Sequence, residues 1–106
     1  MSKTIRFQVT LAAAILLAGA VGFAQSGEAT YKAKCQSCHG TAGVPSPGIA
    51  KAMGVKPATD PSVKSSSEAK MIAITTNGAG KMPAYKGKLT DAQIKEAVAY
   101  FRTFAK

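Results

Sequence analysis

Tryptophan is absent, histidine occurs once, and there are only two cysteines. A structural zinc site wants four ligands, and two cysteines with one histidine cannot complete it. Acidic residues are scarce: 5 Asp and Glu stand against 14 Lys and Arg, for a formal net charge of +9. No stretch alternates apolar and polar side chains with a period of two, so half-buried strands are not expected. No internal repeat is visible, and beyond Val21 no run is apolar enough to cross a bilayer. Strand-built architectures, zinc modules and membrane spans in the body of the chain are thereby set aside. A chain of 106 residues is one small domain at most.

The N-terminal stretch has a different character. Lys3 and Arg6 form a short positive region. Val9 to Val21 is an apolar run broken only by Thr10 and Gly19, and Gly22 and Ala24 occupy the −3 and −1 positions of a cut after Ala24. This is the layout of a secretory signal peptide, too short to span comfortably. The expected division is a cleaved signal over residues 1–24 and one domain over residues 25–106; an uncleaved N-terminal anchor is the alternative. The protein is expected to be periplasmic or otherwise exported, without stable membrane insertion once the signal is removed. A domain of this size buries a thin core and needs a staple such as a disulfide, metal or cofactor.

The fold class read from the pattern is all-α. Thr90 and Gln93 form a capping box, with Leu89 and Ile94 placed as a hydrophobic staple. Ile94, Ala97, Val98, Phe101 and Phe104 then recur at helical spacing, which predicts a helix over 91–105. A second helix is predicted after Ser65, with Glu68 three residues on as another capping box and Asn77-Gly78 as its end. A third runs from about Gly27 into the cysteines, with Tyr31 one turn before Cys35. Gly40 to Pro61 reads as an irregular loop with one helical turn near Ile49 to Met53, and Gly78 to Gly87 as a second loop.

Cys35-Gln36-Ser37-Cys38-His39 is C-x-x-C-H, the haem attachment signature. On a helix, residues three and four apart share a face, so both thiols and the imidazole can meet one object. The thiols add across the two vinyl groups of haem, and His39 reaches the iron. A thioredoxin-like dithiol belongs near a βαβ pattern, which is missing here. A plain disulfide suits an exported chain but leaves His39 without a use.

Cys35 to Gly40, the loop Asn77-Gly78-Ala79-Gly80-Lys81-Met82-Pro83-Ala84-Tyr85 and the segment Leu89 to Phe104 together resemble the small bacterial class I c-type cytochromes, in that family's order. The resemblance implies a small cytochrome c fold wrapped round one covalent haem c, His and Met axial ligands, and an electron-carrying role rather than an enzymatic one. It also implies a proline carbonyl supporting the proximal histidine, for which Pro45 and Pro47 are both candidates.

With the one histidine used, the sixth iron ligand is a methionine or nothing. Met71 sits mid-helix on an apolar face and reads as core. Met53 lies in the first loop and reads as packing around the haem. Met82 follows glycines and precedes Pro83, in a loop whose backbone can approach closely and is then stiffened. The expected cofactor-binding set is therefore Cys35, Cys38, His39 and Met82, with His39 and Met82 on the metal. Met53, or an empty position, is the alternative. His/Met ligation fills both axial positions, which favours a carrier over an oxygen or peroxide enzyme. The basic charge, with Lys51, Lys56, Lys81, Lys86 and Lys88 in the two loops, points to redox protein partners with an acidic docking surface. Nucleic acid is not expected as a partner, and the protein is expected to be a monomer.

Overall fold

The computed structural model describes residues 26–106. The expected signal and its cleavage point lie outside the described residues. Among those residues the architecture is helical and contains no strand, in keeping with the all-α expectation.

Helix α1 covers residues 26–34 and turns at Cys35 into α2, Gln36–His39. The Cys35 amide donates to the Tyr31 carbonyl at 2.9 Å, and the His39 amide to the Cys35 carbonyl at 3.0 Å. Helical register therefore runs from Tyr31 through the C-x-x-C-H segment, as the spacing required. Helix α3, Pro47–Met53, starts at Ser46, whose side chain accepts from the Ile49 amide, with Pro47 in the first turn. It extends two residues further upstream than the single turn expected near Ile49.

Helix α4, Pro61–Lys64, was not expected from the sequence. Asp60 caps it, its carboxylate accepting from the Ser62 amide at 2.9 Å and the Ser62 hydroxyl at 2.6 Å. The expected start of the next helix is also corrected. Helix α5, Glu68–Asn77, is capped by Ser67, whose hydroxyl oxygen accepts from the Lys70 amide at 3.1 Å. Glu68 is thus the first helical residue, where its charge suits the helix dipole, and not the third residue of a box begun by Ser65. Ser65 instead donates to the Ser62 carbonyl. Gly78 ends α5 as read.

Helix α6, Asp91–Arg102, carries the full capping box: the Gln93 amide donates to the Thr90 hydroxyl oxygen at 3.1 Å, and the Thr90 amide to the Gln93 carbonyl oxygen at 2.9 Å. Its last turn tightens into a 3₁₀ helix over Thr103–Ala105, as helix ends commonly do.

The core lies where α1 crosses α6. Tyr31 and Ile94 are fully buried, and Ala97 and Val98 nearly so. A Cβ on Gly27 would lie 2.6 Å from the Glu96 carbonyl oxygen, so the two backbones approach more closely than any side chain allows. One turn on, the Tyr31 ring packs against Tyr100, Phe101 and Phe104 at centroid distances of 5.3, 6.2 and 5.5 Å. These separations suit tilted or offset aromatic pairs. Helix α5 packs on α6, and the loop between them is bonded to the end of α5 and to α1. The fully buried apolar set is small, which leaves the centre open.

Candidate functional site

A cavity of about 480 Å³ occupies that centre. Cys35, Cys38 and His39 line it from α1 and α2, Met82 from the loop after α5, and Val98 and Phe101 from α6. All four residues predicted for the site are therefore brought to one space. Met53 and Met71 line it too.

The proximal side is a helical turn. The two cysteines are not joined in a disulfide and are partly buried. As an unmodified thiol, Cys35 is pushed up to about 11, by burial first and the neighbouring Cys38 second. Burial lowers the pKa of His39, so the imidazole is neutral at pH 7 and can offer a lone pair to a metal. Its ring packs edge-on against Phe101 at 5.3 Å. Its Nδ1 is buried without a hydrogen-bond partner. Just beyond His39, the Tyr31 hydroxyl donates to the Gly40 carbonyl at 2.5 Å. Tyr31 thus holds the end of the C-x-x-C-H turn as well as the helix crossing. Of the two candidate prolines, Pro45 is buried and Pro47 is exposed at the head of α3.

The distal side is a pinned loop. The amides and carbonyls of Ala79 and Met82 exchange bonds at 3.0 and 3.1 Å, forming a tight turn with Lys81 at its tip. Gly78 has φ +78°, and a Cβ there would lie 2.9 Å from the Met82 carbonyl oxygen, so the chain folds back on itself only with glycine at this point. The Tyr85 and Lys86 amides donate to the Thr75 and Thr76 carbonyls at 3.0 Å, tying the loop to the end of α5. The Tyr85 hydroxyl donates to the Lys34 carbonyl at 2.9 Å, tying it to α1 beside Cys35. The Lys81 ammonium donates to the Ala52 carbonyl at 2.6 Å, tying it to the end of α3. Reading the sequence missed these pins. Tyr85 carried no motif beyond its loop, and the Phe101 contact with His39 was hidden within an ordinary helical apolar stripe.

The three methionines differ in their surroundings. The Met71 sulfur accepts from the Arg102 guanidinium at 3.7 Å. Met53 is the last residue of α3. Met82 sits in the doubly bonded turn.

The residues fit a haem. The volume falls within the range of about 300–1,000 Å³ usual for ligand sites, and the lining is mainly apolar, as such sites are. Two thiols, a neutral imidazole and thioethers converge on it, the donor set of a c-type haem. Among the described residues no group of three or more His, Cys, Asp or Glu could hold a bare metal ion. Among the described residues no helix is long and apolar enough to cross a membrane.

Comparison with known proteins agrees with the site. Residues 22–101 match the family model described as cytochrome c oxidase, cbb3-type, subunit III. The chain is 39% identical over 77 residues to cytochrome c6 of Leptolyngbya boryana, covering 73% of this chain and 87% of that protein. It is 35% identical over 106 residues to cytochrome c-555 of Chlorobaculum tepidum, covering 94% of each. Cytochrome c-555 of Chlorobaculum thiosulfatiphilum is 42% identical over 83 residues, covering 73% of this chain and 91% of that one. Among solved structures, the KustC0563 c-type cytochrome superposes with a TM-score of 0.68 at 28% identity, over 76% of this chain and 98% of that chain. The chain belongs to the class I monohaem c-type cytochromes, and it is an electron carrier, not an enzyme, built around one covalently bound haem c.

Proposed function

We propose that the protein is an exported one-electron carrier in which Cys35 and Cys38 hold the haem, His39 and Met82 ligate its iron, and a lysine rim meets acidic redox partners. When bound, the haem supplies an iron that gains and loses one electron at a time. His39 and Met82 would hold that iron, and the chain keeps the surrounding space mainly apolar.

The observation that carries the reading is that the Cys35-Cys38-His39 turn and the Met82 turn, distant in sequence, line one cavity. The competing methionines are weaker candidates. The Met71 sulfur is engaged by Arg102, and Met53 sits at the end of a helix rather than in a turn held at three points. Ligand orientation benefits from such outer support. For His39, Pro45 is the candidate support: a first-turn carbonyl such as that of Pro47 is used within its own helix, whereas Pro45 is buried in the loop that follows the histidine.

Lys34, Lys56 and Lys81 line the cavity edge, and Lys86 and Lys88 stand exposed on the same distal loop. The ion pair between described residues, Lys32 with Glu28 at 2.7 Å, lies on α1. Charge steering of this kind raises encounter rates without tight binding. Export rests on the leader at residues 1–24, and intact mass of the protein recovered from the producing cells tests its removal.

Carbon monoxide tests the ligation. The ferrous protein should refuse the gas at neutral pH, and Met82→Ala should take it up. Rapid uptake by the unaltered protein would leave the iron five-coordinate and contradict the assignment.

A further inference from the structure

Arg102 is the only arginine among the described residues. It is half-buried at the end of α6, and its Nη1 donates to the Ser66 carbonyl at 2.9 Å and to the Met71 sulfur at 3.7 Å. Ser66 and Met71 both line the haem cavity, while Arg102 lies behind them, in a small cleft shared with Glu68 and Lys106. A guanidinium stands one side chain away from the cofactor space.

Among the described residues its charge has no ion-pair partner. Glu68 shares the cleft, yet the ion pair between described residues is Lys32 with Glu28. A guanidinium cannot be deprotonated in a protein, so this positive charge is permanent. It is also partly out of water, where a charge acts over a longer range and is screened less by salt than the exposed lysines of the rim. The Arg102 Nη1 is held by two acceptors on the segment around the start of α5, which keeps the charge beside the cavity wall.

We propose that Arg102 is a tuning residue: its fixed positive charge, clamped behind the Ser66–Met71 wall, stabilises the reduced state of the haem site and holds the midpoint potential up. On reduction one electron enters the site from a reduced partner protein, no bond forms or breaks, and the net charge of the site falls by one. A neighbouring cation favours that change. The inference rests on haem occupying the cavity and not on which methionine ligates it.

The test is a potentiometric titration of purified holoprotein, followed optically, for the unaltered chain, Arg102→Gln, Arg102→Met and Arg102→Lys. Arg102→Gln keeps a donor and loses the charge, and Arg102→Met keeps the packed stem and loses the charge. Both should lower the midpoint potential with the far-red sulfur-to-iron band intact. Arg102→Lys, which keeps the charge, should stay near the original value. If one neutral variant fails to fold, the other still decides. An unchanged potential in a neutral variant overturns the proposal. So does an equal drop in Arg102→Lys, which marks a structural role, or loss of the far-red band together with the drop, which marks loss of the ligand.

Discussion

Tyr31→Phe removes one oxygen from the centre of the molecule and leaves nearly everything else in place. The ring keeps its packing against Tyr100, Phe101 and Phe104. What is lost is the bond to the Gly40 carbonyl, which holds the chain directly after His39. A hydrogen bond of this kind is worth about 0.5–1.5 kcal/mol net, and leaving a buried acceptor unpaired costs about 1–3 kcal/mol. Gly40 is only half-buried, so water recovers part of that loss, and the expected destabilisation is about 1–2 kcal/mol. At about 4–8 °C per kcal/mol for a domain of this size, the melting temperature should drop by roughly 4–16 °C. Denaturant titration of the holoprotein should show a lower midpoint with an unchanged slope. The pH dependence adds a second arm. Burial, the largest cause, raises the Tyr31 pKa from 10.0 to about 12. A raised folded-state pKa contributes stability that is present below pH 10 and lost as pH climbs to about 12. The advantage of the unaltered protein over Tyr31→Phe should therefore shrink across that window. Equal stability of the two proteins at neutral pH would refute the role given to the hydroxyl.

Gly27→Ala forces a methyl against the Glu96 carbonyl oxygen at the α1–α6 crossing and should cost about 1–3 kcal/mol by denaturant titration, as overpacking does. Tyr85→Phe cuts the bond from the distal loop to the Lys34 carbonyl; ferrous carbon monoxide uptake, absent in the unaltered protein at neutral pH, should become detectable while the fold holds. Charge reversal at Lys86 or Lys88 should slow bimolecular electron transfer with the physiological partner at low salt far more than reversal at Lys32, whose charge already faces Glu28, and the difference should fade as ionic strength rises.

Features set by local chemistry could be read from the residues alone. Thr90 and Gln93 cap α6 as written because both halves of the box lie within one turn. Cys35, Cys38 and His39 reach one cavity because their spacing is helical and the register holds from Tyr31 onward. The start of α5 was ambiguous: Ser65, Ser66 and Ser67 are chemically alike, and what separates them is that the Ser65 and Ser66 hydroxyls donate to the Ser62 carbonyl. Arg102 takes the Ser66 carbonyl from 36 residues away, and Ser67 is left as the cap. Helix α4 carried a signal, Asp60 before Pro61, but four residues have no periodicity to detect. The pins on the Met82 loop were beyond reach for the same reason as Ser66. Tyr85 and Lys34 are 51 residues apart, and Lys81 and Ala52 are 29 apart. Backbone carbonyls at helix ends carry no side-chain label to announce a partner.

The far-red absorption band of the ferric protein, which reports sulfur bound to haem iron, bears most directly on the ligation of the carrier. Recorded side by side for the unaltered holoprotein, Met82→Ala, Met53→Ala and Met71→Leu, it should be present in all but Met82→Ala. A band that survives in Met82→Ala and disappears in Met53→Ala would move the axial ligand from the distal loop to α3 and contradict the account.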